Sequence, residues 1–193
     1  RLLKAADQAM RQAKGTRGTS WKSLIPKEES SGPSEVRLEH EVRVGLSRRE
    51  FIPHFQPIYD TNTGNLWSIE MLARWKHPER GLVSPAKFIP VAERCGLLQE
   101  MTEQLLVKAC NAIDAADLPA EWPKPVPLNV NVSPNQIAQR NLVERLAGAL
   151  RDADCRREVV EIRLEITEGQ LLERVERVEQ LRQEGFRVII DDF

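Results

Sequence analysis

The chain has 193 residues, enough for one sizeable core with an appendage. Its 41% hydrophobic and 30% charged residues exclude a fibrous or wholly disordered protein. With 28 basic and 29 acidic residues the net charge is −1, which excludes a field able to recruit a nucleic-acid polymer or a membrane surface; a polyanionic ligand needs a local site. No apolar run approaches the roughly 18 residues of a membrane helix. Cys95, Cys110 and Cys155 have no CxxC or Cys/His spacing, which favours reduced thiols in a cytoplasmic compartment over a disulfide framework or zinc site.

Residues 1–14 place Leu3, Ala6, Met10 and Ala13 at helical spacing, and Gly15 follows as a stop. Residues 15–34, dense in Gly, Ser, Pro and charge, read as an interdomain linker interrupted by Trp21, Leu24 and Ile25. A helix is expected from Ser34 to about Leu46, then a strand over 51–58, a turn at Asn62–Asn65 and a strand over 66–75. Ser84-Pro85 suits the cap and first position of a short helix ending near Gly96. Leu98, Met101, Leu105, Ala109 and Ile113 share one face of a longer helix. A strand over 126–133, a helix over 141–152 and a strand over 159–167 follow. Leu171, Val175, Val178 and Leu181 mark a helix ending at Gly185, before a strand that begins RVIIDDF.

Alternating strands and helices of these lengths imply parallel crossover units. Strand parity then separates the α/β folds. Glu70, Leu72 and Arg74 share one face of their strand, as do Asn129 and Asn131, Glu161, Arg163 and Glu165, and Arg187, Ile189 and Asp191. The opposite faces are Val, Ile and Leu. An open doubly wound sheet is apolar on both faces. One apolar face and one face of acids and amides fits an incomplete TIM-like (β/α) barrel, comprising five strands or so, with its site at the carboxyl ends. The bland alternative is a rim of salt bridges, which four successive strands with one arrangement disfavour.

An inward carboxylate or amide near each strand end suits a hard cation such as Mg²⁺ or Mn²⁺. Glu70, Asn131, Glu165 and Asp191 supply these oxygens, and Asp192 stands next in line to bridge to a second ion. Two metals about 3.5–4 Å apart are the usual apparatus for attack of water on a phosphodiester.

The motifs sharpen this reading. Gln56-Pro57-Ile58, Glu70-Met71-Leu72-Ala73-Arg74-Trp75, His77 to Pro85, and Phe88-Ile89-Pro90 with Ala92-Glu93 resemble the EAL family of cyclic di-GMP phosphodiesterases in order and spacing. Asn131-Val132-Ser133-Pro134, Glu165-Ile166-Thr167-Glu168 and Asp191-Asp192-Phe193 continue the match across residues 35–193. The resemblance implies metal ligation by Glu70, Asn131, Glu165 and Asp191, with Asp192 at a second Mg²⁺ or Mn²⁺. It implies catalytic roles for Glu70, Asp191 and Asp192, and substrate contacts from Gln56, Leu72 and Arg74, the last a guanidinium fork for phosphate. The implied reaction is hydrolysis of cyclic di-GMP to linear pGpG in bacterial signalling.

Three departures stand out. Met71 replaces the family's signature alanine, on a parity that points away from the site. The stretch from Glu165 to Asp191 is slightly shorter than the family's. The family's catalytic lysine, a further glutamate and a further glutamine fall beyond Phe193, so both ends read as cuts and the 193-residue chain is expected to be inactive by itself. Ala6-Asp7-Gln8-Ala9-Met10 with Ala13-Lys14 resembles the last helix of a GGDEF (diguanylate cyclase) domain, giving a division into 1–14, a linker over 15–34 and an EAL domain over 35–193. Expected partners are cyclic di-GMP, the upstream GGDEF-like domain and, as an open assembly question, a homodimer; the location is cytoplasmic, with a tether elsewhere in the parent protein allowed. His40, His54 and His77, the packing residues Trp67, Trp75 and Trp122, and the solvated pairs Arg48-Arg49 and Arg156-Arg157 are assigned no chemistry. A degenerate EAL domain that senses cyclic di-GMP without cleaving it is the alternative; retention of every visible ligand favours the enzyme.

Overall fold

The computed structural model describes residues 33–156, 158–167 and 175–191. The expected helix over 1–14, the linker up to residue 32 and Asp192 lie outside the described residues. Helix α1 (Pro33–Ser47) leads into a hairpin of β1 (Phe51–Tyr59) and β2 (Leu66–His77). A short strand β3 (Gly81–Val83), helices α2 (Pro85–Arg94) and α3 (Leu98–Asp114) and strand β4 (Val126–Asn131) follow. Then come α4 (Pro134–Ile137), α5 (Leu142–Asp152), β5 (Val160–Thr167), α6 (Val175–Gln183) and β6 (Arg187–Asp191).

The six strands form one sheet in the order β1-β2-β4-β5-β6, with β3 on β2 off that path. Strands β2, β4, β5 and β6 are mutually parallel, joined by crossovers through helices. Two pairings are not crossover units. Strand β1 pairs antiparallel with β2, and so does β3, a strand not expected from the sequence. The reason is connection length: a parallel pair needs a crossover of about a dozen residues, whereas Asp60 to Asn65 closes as a tight loop. Within it Asp60 Oδ1 accepts from the Asn62 and Thr63 amides and from Thr63 Oγ1, and Gly64 supplies a φ of 71°. Those bonds, the Thr63 amide first, hold the Asp60 carboxyl below its ordinary range.

Period-two alternation sends Ile69 and Met71 of β2, Leu128 and Val130 of β4, and Ile162, Leu164 and Ile166 of β5 to one face. There they join one apolar cluster with Met101, Leu105, Leu106 and Ala109 of α3, Leu142 and Leu146 of α5, and Leu181 of α6. At the β1 end Trp75 is fully buried beside Phe51 (5.2 Å between centroids) and Phe88 (6.0 Å), and its indole Nε1 donates to Glu50 at 3.0 Å. Met71 lies in this core, 6% exposed, on the side away from Glu70. Among the described residues no helix is long and apolar enough to cross a membrane. None of the three cysteines forms a disulfide; contact with Cys155, then burial, pushes the Cys110 thiol up.

Candidate active site

The face opposite the core carries the polar residues, in rungs across the sheet. Gln56 stands opposite Glu70, Glu70 beside Asn129, and Asn129 beside Arg163. One pleat further toward the carboxyl ends, Asn131 stands beside Glu165. Two bonds tie the rungs together. Asn131 Nδ2 donates to Glu70 Oε1 at 2.9 Å, and Asn129 Nδ2 donates to Glu165 Oε1 at 2.8 Å. Two carboxylates from β2 and β5 thus flank two amides from β4 on one sheet face. Asp191 pairs in register with Thr167, two residues beyond Glu165 on β5. Asp192 lies outside the described residues.

Strand β4 stops at Asn131, two residues short of the expected end, because Ser133 caps helix α4. Ser133 Oγ accepts from the Gln136 amide at 3.3 Å and Gln136 Oε1 accepts from the Ser133 amide at 3.1 Å, a reciprocal capping box. Gln136 is 2% exposed, and its Nε2 also donates to Thr102 Oγ1 (2.9 Å) and Gln99 Oε1 (3.2 Å) on α3. The corner that presents Asn131 is therefore clamped to α3 by one side chain. The Val132 amide, donating to the Glu165 carbonyl at 3.0 Å, fixes it to β5 as well. A pocket of about 350 Å³ opens beside this corner, bounded by Leu72, Ile89, Met101, Asn131 and Ser133.

Arg74, four residues beyond Glu70 on β2, is half-buried and donates through Nη1 to the Ala73 carbonyl at 2.8 Å. Gln56 is exposed on β1 and Leu72 half-buried. The structure thus brings Glu70, Asn131 and Glu165 to one patch, with Gln56 at its side and Leu72 and Arg74 above it on β2. Two members were given no role from the sequence. Asn129 was placed on the polar face with Asn131 but not among the ligands. Gln136 was legible as the far end of the Ser133-x-x-Gln136 capping pattern.

The donor set fits a hard divalent cation. It offers carboxylate and amide oxygens without sulfur or imidazole, the chemistry Mg²⁺ and Mn²⁺ select. Asn129 is 4% exposed, and among the described residues its Oδ1 has no hydrogen-bond partner, an unusual state for a buried acceptor. Among the described residues no three His, Cys, Asp or Glu side chains gather in a group able to hold a metal. The described oxygens amount to two carboxylates and two amides.

The three histidines stay out of this patch. His40 and His54 are exposed. His77 ends β2, 8% exposed, and its Nδ1 accepts from the Glu79 and Arg80 amides, a staple for the turn into β3. Trp75 packs as expected and Trp122 lies half-buried against the core. Trp67 does not: it is 61% exposed, with the Arg163 guanidinium 5.8 Å from its ring. A bulge explains the correction, since Ile58 pairs with Ser68 and Tyr59 with Leu66, leaving Trp67 without an opposite residue and breaking the alternation. Arg48 and Arg49 are exposed, and exposed Arg156 forms an ion pair with Asp114.

The model of the EAL domain family matches residues 39–193, and the chain belongs to that family. Among its relatives, the bifunctional diguanylate cyclase/cyclic di-GMP phosphodiesterase MucR of Pseudomonas aeruginosa is 30% identical over 200 residues, covering 100% of this chain and 28% of that protein. The probable cyclic di-GMP phosphodiesterase PdeG of Escherichia coli is 32% identical over 168 residues, covering 85% of this chain and 31% of that one. The solved MucR phosphodiesterase in complex with c-di-GMP matches with a TM-score of 0.67 at 32% identity, over 81% of this chain and 64% of that chain. The sheet and its helices are thus part of a TIM-like barrel. The chain spans between 23% and 31% of the length of the curated relatives it matches here.

Proposed function

We propose that the chain is part of a phosphodiesterase that hydrolyses one phosphodiester of cyclic di-GMP to linear pGpG, using Mg²⁺ or Mn²⁺ held on the polar face of the sheet. The observation that carries this is the pairing of Glu70 with Asn131 and of Glu165 with Asn129 on one face of the parallel strands, in a chain of the EAL family. Glu70, Asn131, Glu165 and Asp191 hold the first ion, and Asp192 reaches the second; Glu70, Asp191 and Asp192 are the catalytic carboxylates. Bound there, the ions supply a water of lowered pKa and offset charge on the phosphoryl oxygens. Arg74 binds a phosphate of the substrate with a guanidinium fork, while Gln56 and Leu72 border the nucleotide. The location is the cytoplasm, where cysteines outside disulfides are at home.

The domain division is part of the same proposal: residues 1–14 close a GGDEF-like domain, 15–34 link it, and 35–193 belong to the EAL domain. Its support is that MucR, named as a diguanylate cyclase and a phosphodiesterase together, aligns over the full length of this chain.

The test is release of pGpG from cyclic di-GMP by the full-length protein. Activity should require Mg²⁺ or Mn²⁺ and disappear on chelation, and Glu70→Ala should lower it by about 10³-fold or more, the scale of losing one member of a catalytic unit. Activity that survives chelation refutes the mechanism. Tight binding of cyclic di-GMP without turnover assigns the chain to a sensor instead.

A further inference from the structure

We infer that Asn129 is the positioning residue for Glu165, and that its amide is fully satisfied only when a hydrated divalent cation sits on this face. The inference rests on the metal site proposed above and adds to it a residue that binds no substrate. The argument starts from burial. Asn129 is 4% exposed at the centre of β4, flanked by Glu70 on one side and Arg163 on the other. An apolar residue there would suit the burial. Asparagine instead spends its amide hydrogens on the Glu165 carboxylate, 2.8 Å away.

That bond fixes which way the amide faces. With Nδ2 held by a carboxylate, the oxygen must lie on the other side of the group, because turning the amide over would set Oδ1 against Glu165 Oε1. Oδ1 is the atom left without a hydrogen-bond partner among the described residues, and a buried acceptor in that state destabilises a fold. Burial alone does not explain such an atom, since an apolar side chain of similar volume would avoid it. A site does, since the water shell of Mg²⁺ or Mn²⁺ presents O–H donors that no described residue brings to it. Asn129 therefore has two jobs at once. It holds the Glu165 carboxylate in one pose before the ion arrives, as outer residues around metal ligands generally do, and it offers the arriving hydrated ion an acceptor.

The test uses the full-length protein and Mn²⁺ alone, with Asn129→Leu and Asn129→Asp compared with wild type by Mn²⁺ titration and by melting with and without the ion. Asn129→Leu, close in volume and without polar atoms, should bind Mn²⁺ about 10- to 100-fold more weakly, while its ion-free Tm is unchanged or higher by about 2–4 °C. A purely structural role predicts the opposite pairing, a lower Tm with unchanged affinity. Asn129→Asp sets a second carboxylate against Glu165, so its ion-free Tm should fall and the rise in Tm on adding Mn²⁺ should exceed that of wild type. Wild-type affinity in Asn129→Leu, or an Asn129→Asp protein no more responsive to Mn²⁺ than wild type, overturns the role of Asn129 and leaves the metal site standing. A wild-type protein that does not bind Mn²⁺ overturns the site itself.

Discussion

Arg74 commits one donor to the carbonyl next to it, Ala73, at 2.8 Å. A guanidinium has five donors in a rigid planar fork, so that bond steadies the side chain against its own strand and leaves N–H donors along the edge of the group for the phosphate contact proposed above. Arg74→Ala in the full-length protein should raise KM for cyclic di-GMP about 10- to 100-fold, the loss of charge-assisted hydrogen bonds worth about 1.5–3 kcal/mol. Its kcat should change far less, and Arg74→Lys should not restore KM, because an ammonium is a point charge without the fork. Steady-state kinetics decide: a fall in kcat at constant KM would remove Arg74 from substrate binding. At this scale the sequence was readable wherever the period of two held. It placed Met71 in the core and Glu70 on the other face. It misread Trp67 because the bulge opposite Ile58 and Tyr59 inserts one residue into the alternation, and a tryptophan was assumed to seek the core.

The β4–α4 corner shows what an element contributes. Asn131 is exposed at the last position of a strand, where a side chain has few neighbours to orient it. Its pose is set from behind by Gln136, which joins the cap of α4 to Thr102 and Gln99. Gln136→Leu keeps the volume and removes every one of those bonds, leaving the Ser133 amide and the α3 groups to be satisfied elsewhere. It should destabilise the fold by about 1–3 kcal/mol and raise the Mn²⁺ concentration needed for half-maximal activity about tenfold or more. Melting curves and Mn²⁺ titrations of activity check both. An unaltered Mn²⁺ dependence would reduce the clamp to packing. The sequence reading carried the strand two residues too far here, since Val132 is apolar and continues the alternation; Ser133-Pro134 held the stop signal. It likewise passed over β3, three residues too short to display a period.

At the scale of the molecule, the polar face is made by four parallel strands and one antiparallel neighbour, and no local feature would produce it alone. Glu70, Asn129, Asn131 and Glu165 come from three strands spread over 96 positions of chain. Parallel pairing sets them side by side because each crossover returns the chain to the same end of the sheet. Among the described residues β1 and β6 stand at opposite ends of the strand order rather than paired with each other. Such edges expose unpaired N–H and C=O groups that invite another chain. The 193-residue polypeptide expressed alone should therefore self-associate and release no appreciable pGpG with Mn²⁺, since loosely held ligands give little rate enhancement. Size-exclusion chromatography and the cleavage assay test this, and a monomer with turnover near that of the full-length protein would contradict it.

The barrel class was legible because acids and amides on one parity recurred on strand after strand, a pattern that fits a sheet with an occupied inner face. The hairpin at its start was legible only in part. Asn62 to Asn65 announced a turn, but the antiparallel pairing it enforces was lost among the crossovers that follow.

The most direct test of the shared site is a double-mutant cycle on kcat/KM for cyclic di-GMP, with Mn²⁺, in the full-length protein. Glu70 and Asn131 are joined at 2.9 Å and assigned to one ion. Glu70→Gln and Asn131→Ala should each lower kcat/KM by about 10³-fold, and the double substitution should cost no more than either alone, as for members of one catalytic unit. Losses that multiply, as independent sites produce, or near-wild-type turnover in either single variant, would show that the two side chains do not hold a common ion.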